Sequence, residues 1–243
     1  PAGGLLSARS SATRSDAFVV ESIESVETGP LRAALRFTGT LGTGRATVTY
    51  TLAQTSKVVD VDVAVENAAS GRRFVVSFPR GKDVRRVMQE IPYGHLERGN
   101  GRYPAQTYLD LDATDHGLAL LTGETAGCEV GKKRVTLHLA NDLSRRHWLE
   151  AEPVRLPRRW HVSYGIYPHD LGTGPAALFR RGLDASTPLH VRLLSPVPST
   201  EDTAQPRAHG LLNLSPDTIE LGALYTDDDG DWVVRLIERS GKD

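Results

Sequence analysis

The chain has 243 residues, a formal net charge of −1 and a single cysteine, Cys128. That length suits one large or two modest domains with room for a sizeable core. The near-neutral charge argues against nucleic acid as the main partner, one cysteine excludes an internal disulfide and any zinc site built on paired cysteines, and no run of about 18 apolar residues reads as a membrane-spanning helix.

Residues 1–16, rich in Gly, Ser and Ala, read as a loose lead-in. They carry no charged leader, which points to the cytoplasm, and they lack an initiator Met, which points to a chain cut from a longer one. Residues 17–195 read as one β-domain. Ala17–Glu27 and Leu31–Phe37 are strand-like and separated by a Thr28-Gly29-Pro30 turn. Arg45–Leu52 alternates, with Ala46, Val48, Tyr50 and Leu52 on one side. Val58–Val65 alternates most cleanly. Val59, Val61, Val63 and Val65 share one face and Asp60 and Asp62 the other, the period of an antiparallel strand with one wet side. Arg72–Phe78 and Val84–Ile91 continue the pattern up to a corner at Pro92-Tyr93-Gly94. Proline fixes φ there and glycine permits reversal. Gln106–Leu111, Gly117–Leu121, Cys128–Val130 and Arg134–Leu139 follow, with turn signals at the spacing of a sandwich or barrel. Gly174–Leu183 has helical spacing and reads as one short helix. Residues 196–212, rich in Pro, Ser and Thr, read as a linker. Residues 213–243 read as a hairpin that begins or borders a further β-segment, its strands Thr218–Tyr225 and Trp232–Glu238 joined at Asp227-Asp228-Asp229-Gly230.

Few constellations carry chemistry on their own. There is no Gly-rich phosphate loop and no Gly-x-Ser-x-Gly elbow. Cys128 lies in an apolar alternating segment and reads as a packed thiol. His161 and His169 flank the strand Val162–Tyr167 at an even spacing that puts both on one face; packed neutral histidines explain them better than a metal completed by Asp170. Asp110 and Asp112 share a strand face and Asp115 opens the next turn, which reads as a solvated face. The Asp227–Asp229 run lacks the rest of a calcium loop and reads as a polar hairpin tip. Two loops concentrate groups able to meet a ligand. The corner brings Tyr93, His95, Glu97 and Arg98 together, and its plain reading is a structured β-corner. Asn141–Trp148 holds Asp142, Arg145, Arg146 and His147. An arginine fork there can grip vicinal hydroxyls or a carboxylate, or simply pair with Glu150 and Glu152 in a solvated turn.

An ordered series of short motifs carries a family resemblance. It runs through Glu27-Thr28-Gly29-Pro30-Leu31, Ser56-Lys57-Val58-Val59-Asp60-Val61, Phe78-Pro79, Glu90-Ile91-Pro92-Tyr93-Gly94, Gly117-Leu118-Ala119-Leu120-Leu121, Ala126-Gly127-Cys128-Glu129-Val130 and Tyr164-Gly165-Ile166-Tyr167-Pro168-His169. The set resembles the C-terminal β-domain of glycoside hydrolase family 38, the α-mannosidases, from about residue 17 onward. Ala140-Asn141-Asp142-Leu143 departs from the Leu-Leu-Arg-Ser of relatives.

The resemblance implies an all-β fold, a large antiparallel two-sheet supersandwich of the galactose mutarotase type with one short helix. In that family the nucleophilic Asp and the zinc ligands lie in an N-terminal region. The resemblance therefore assigns no catalytic residue and no metal ligand to these residues, and it implies zinc on that other region. A retaining glycosidase needs two carboxyl groups about 5–5.5 Å apart, and no such pair can be nominated. The implied partners are an N-terminal catalytic domain and a mannose-containing carbohydrate. An uncovered interdomain face would also favour a homo-oligomer. The expected sugar contacts are Tyr93, His95, Arg98, Asp142, Arg145, Arg146 and His169.

Two other classes stay open. An aldose 1-epimerase-like enzyme would use His95 or His169 with Glu90 or Glu97 as general acid and base. A stand-alone carbohydrate-binding module would want exposed aromatics, and of Trp148, Trp160 and Trp232 the last two fall in expected strands.

Overall fold

The alternation read from Val59 onward is what builds the molecule, here a computed structural model that describes residues 5–10, 15–66, 72–125, 127–141, 159–187, 210 and 212–240. In chain order the first strands are β1 (Leu5–Ser10), β2 (Ser15–Thr28), β3 (Arg32–Leu41), β4 (Gly44–Ala53), β5 (Val59–Glu66) and β6 (Arg72–Pro79). Then come β7 (Arg86–Ile91), β8 (Gly94–Glu97), β9 (Gly101–Pro104), β10 (Tyr108–Asp112), β11 (Gly117–Leu121), β12 (Gly127–Val130), β13 (Arg134–Asn141) and β14 (Arg159–His169). Helix α1 (Pro175–Ser186) precedes β15 (Ile219–Thr226) and β16 (Trp232–Glu238).

In β5, Val61, Val63 and Val65 are buried while Asp60, Ala64 and Glu66 are exposed, as the period of two requires. The first fourteen strands form one ladder in the order β8-β7-β10-β11-β14-β5-β4-β3-β2-β1-β6-β13-β12-β9. The ladder doubles over on itself where the long β2 meets β1. Phe74 on β6 lies edge-on to Trp160 on β14 at 5.0 Å, and Phe78 meets Tyr164 at 6.1 Å, although β6 and β14 are far apart in the ladder. Two sheet layers therefore face each other across one apolar core, an all-β sandwich as expected. Cys128 is fully buried in that core, and burial pushes its thiol up to about 11, the behaviour of a packed side chain.

Several local outcomes differ from the pattern reading. Leu5–Ser10 fall within the stretch read as a lead-in, yet they form β1 and bridge β2 and β6, with Leu6 and Ser7 buried. The corner region also contains two strands of four residues, β8 and β9, too short to show a period. Most of the linker at 196–212 lies outside the described residues.

The helix begins with Pro175, whose fixed φ suits the first turn. It buries Leu178 and Phe179 against Tyr108, Ala119 and Leu121, on the side of β10 and β11 that faces away from the core. Gly182 makes the close approach possible, since a Cβ there would stand 2.6 Å from Thr107 Cβ. The hairpin β15–β16 is a separate two-stranded sheet. At its tip the Asp227 carboxylate accepts from the N–H groups of Asp229 and Asp231, a self-closed polar turn.

Candidate functional site

The outer face of β10, β11 and β14 gathers the titratable side chains. Asp112 lies opposite Gly117, and Gly117 opposite His169. Asp110 lies opposite Ala119, and Ala119 opposite Tyr167. With no side chain on Gly117, the imidazole of His169 lies across that backbone; a Cβ there would meet its Cε1 at 2.1 Å. His169 Nε2 thereby stands 3.0 Å from Asp110 Oδ1, and Nδ1 stands 3.0 Å from the Asp170 carbonyl. Both partners are acceptors, so both ring nitrogens donate only in the imidazolium form. Burial works against that charge. The Asp110 carboxylate and the Asp170 carbonyl outweigh it, and the pKa of His169 is raised. Tyr167 stacks on the ring at 5.7 Å. Arg85 and Arg86 clamp Asp112 at 3.0 and 2.6 Å. Its partial burial is overridden by those two cations, and its pKa is lowered.

The expected solvated face of Asp110 and Asp112 is thus a buried, paired one. Alternation correctly puts both on the side away from the core, but helix α1 covers that side at the Tyr108 end and arginines close it at the other.

A second buried ion pair lies on β7. Glu90 and Arg239 have side chains 5% and 7% exposed, with Nη1 3.5 Å from the carboxylate. The arginine lies over the Phe179 ring at 3.5 Å, a cation–π contact. Its Nε and Nη1 have no hydrogen-bond partner, so the pairing is electrostatic, without an aligned bond. Thr107 donates to Glu90 from its backbone N–H at 3.3 Å and from its hydroxyl at 3.4 Å. Burial nevertheless raises the Glu90 pKa against these bonds and the Arg239 charge. Burial also raises the neighbouring Tyr108 phenol, helped by the Asp110 and Glu90 charges. Glu90, Asp110 and Asp112 therefore each have a basic partner within the protein, and the Glu90–Arg239 pair, with Arg239 over Phe179, ties the end of β16 and α1 to the sheet.

The corner loop is open by contrast. Ile91 pairs with Gly94, leaving Pro92 and Tyr93 as a two-residue turn. Tyr93 adopts φ +65° and is 69% exposed. That second central position after a proline normally takes Gly or Asn. His95 is half-buried and sits opposite Glu90. Arg98 donates from Nε to Gln89 at 2.7 Å and stacks on Tyr103 at 4.4 Å, while Gln89 donates to the Pro104 carbonyl. The structure therefore groups Tyr93, His95 and Arg98 on one hairpin. His169 lies on another strand, with both ring nitrogens occupied. Asp142, Arg145 and Arg146 lie outside the described residues.

His161 and His169 do share one face of β14, as their spacing predicts, but His161 pairs with Asp62 at 3.2 Å. Among the described residues, Asp83, Asp115 and His116 place ligand-type atoms within 4.8 Å of one another, all exposed. Within this group His116 Nδ1 lies 2.5 Å from Asp115 Oδ1 and Nε2 stands 4.0 Å from Asp83 Oδ2. The pairs that sequence reasoning missed are Glu90–Arg239 and Asp110–His169. The short-range signal for the second is Gly117, a glycine one strand away from the histidine it accommodates.

The family described as glycosyl hydrolases family 38 C-terminal domain matches residues 7–145. No curated protein matches the chain. A solved glycosyl hydrolase family 38 protein from Enterococcus faecalis shares its fold with a TM-score of 0.70 at 13% identity, over 96% of this chain and 34% of that one. An alpha-mannosidase from Enterococcus faecalis V583 does so with a TM-score of 0.73 at 12% identity, over 96% and 33%. The chain thus spans about a third of the length of these two structures.

Proposed function

This chain belongs to the glycosyl hydrolases family 38 C-terminal domain family, and on that premise we propose that it packs beside the catalytic part of an α-mannosidase and lends its corner loop to the wall of the mannoside pocket. The zinc of such an enzyme belongs, in this reading, to the catalytic part. The Asp83–Asp115–His116 group offers one histidine and two carboxylates, all exposed, and this reading gives it no part in holding that zinc.

Tyr93 is the observation that carries the pocket reading. A large aromatic is kept in a left-handed conformation and 69% exposed at the tip of β7–β8. Such strain costs about 1–2 kcal/mol, and strained residues cluster at ligand-contacting positions. A phenol ring presented this way offers a flat face to a sugar ring, with His95 on the same hairpin as a polar neighbour. Arg98 holds the loop through Gln89 and Tyr103. Steady-state kinetics of Tyr93→Gly and Tyr93→Phe in the enzyme that carries this chain test the proposal. Tyr93→Gly should raise KM for mannosides several-fold with the fold intact, and Tyr93→Phe should behave like wild type. A Tyr93→Gly enzyme with unchanged KM overturns the pocket reading.

A further inference from the structure

Among the described residues, one corner of the larger layer leaves its core-side face uncovered. Strand β2 carries two register shifts, between Val20 and Ser22 and between Ser25 and Glu27. The first restores phase, so that Val20 and Ile23 face the same way, opposite Gly39 and Phe37. Across the ladder, Phe37 lies opposite Val48 and then Val63; Leu35 lies opposite Tyr50 and then Val61; Ala33 lies opposite Leu52 and then Val59. This is the face that buries Val61 and Val63 completely. Outward from β5 the cover runs out. Phe37 and Tyr50 are half-buried in an edge-to-face pair at 5.5 Å. Beyond them Val20 is 44% exposed, Leu52 45%, Leu35 46% and Ile23 64%, with Leu31 at 74% on the adjoining turn. The opposite face of the same strands is closed by ion pairs suited to water, Arg36–Glu24, Arg32–Glu27 and Arg45–Glu21.

We infer that this uncovered face, centred on Ile23 and Leu35, is the seat of the enzyme's catalytic part, an inference that rests on the reading that the chain belongs to an α-mannosidase. The face is a direct continuation of the interior, so its occupant completes a core. It presents no charge, so it fits an apolar protein surface in preference to a carbohydrate, which needs polar partners. The two family-related structures that match 96% of this chain are about three times as long, which supplies polypeptide of the size needed. Interdomain contacts within one chain commonly bury ~600–1,500 Å².

Thiol labelling of the enzyme tests this directly. Ile23→Cys and Leu35→Cys probe the face, and Glu24→Cys probes the opposite one, with modification read by mass on the peptide carrying each site. Cysteines at 23 and 35 should react about 100-fold more slowly in the native enzyme than after unfolding, while the cysteine at 24 reacts at nearly the unfolded rate. Rapid labelling at 23 and 35 overturns the inference. Protection that disappears on dilution, together with a dimer mass in sedimentation, identifies a second copy as the occupant and overturns it equally. The labelling reads burial and not sugar contact, so an unchanged KM in Tyr93→Gly would sink the pocket reading and leave this one standing.

Discussion

The imidazole of His169 occupies the space where Gly117 would carry a side chain, 2.1 Å from the position of a Cβ. Gly117→Ala therefore evicts the ring from its bond to Asp110. The expected cost is about 2–4 kcal/mol from overpacking and a lost buried charged hydrogen bond, read as the shift in urea midpoint. His169→Gln in the same background should add little further loss, because the two changes remove one interaction.

Stability should fall as pH rises above the ordinary imidazole range because of His169. Its folded pKa is raised above the ordinary value near 6.5. The stabilisation it supplies is fully present below that value and is lost as pH rises through the higher folded pKa. Unfolding free energies measured from pH 5 to 9 should show this decline. His169→Gln should flatten it, and Asp110→Asn should move it to lower pH. A wild-type profile identical to that of His169→Gln counts against the imidazolium assignment.

Acid should release Asp112. Its pKa is lowered by Arg86 and Arg85 despite partial burial, so its contribution is present above the ordinary carboxylate value and is lost as pH falls through the folded one. Asp112→Asn should destabilise at pH 7 and match wild type at the lowest pH at which both fold.

Removing one half of the Glu90–Arg239 pair strands the other in an apolar setting. Glu90→Gln and Arg239→Met should each cost about 3–5 kcal/mol, whereas Glu90→Leu with Arg239→Met should cost much less than the sum. A double-mutant cycle by chemical denaturation measures the coupling. Additive losses would show that the 3.5 Å contact carries no coupling.

Gly182→Ala tests how closely the helix sits on the sheet. In an open helix the change stabilises by ~1 kcal/mol. Here the new Cβ meets Thr107 Cβ at 2.6 Å and the Thr107 carbonyl at 2.8 Å. Backbone cannot swing aside as a side chain can, so a net loss of about 1–3 kcal/mol is expected in thermal or urea unfolding.

Period-two alternation was enough to place β5 and β4, because a half-buried strand must sort its side chains by solvent, while the hairpin strands followed from two β-rich runs around the Asp227-Asp228-Asp229-Gly230 turn. Spacing also placed the helix near 174–183, observed at Pro175–Ser186, and Cys128 among packed apolar neighbours. Alternation distinguishes two faces of a strand but cannot say what lands on either. Asp110 and Asp112 read as wet because nothing near them in sequence announces a helix some 60 residues later or the arginines at the start of β7, Arg85 and Arg86. The bulges of β2 escaped a strict count of two, so the shared face of Val20 and Ile23 emerges only from the register with β3. Asp110 with His169 is a pair set by strand order across the folded ladder, and Glu90 with Arg239 is a pair set by how the separate β15–β16 hairpin ends against β7. Charges so far apart in the chain acquire partners only when burial removes water as the alternative, and that is decided by the tertiary structure alone.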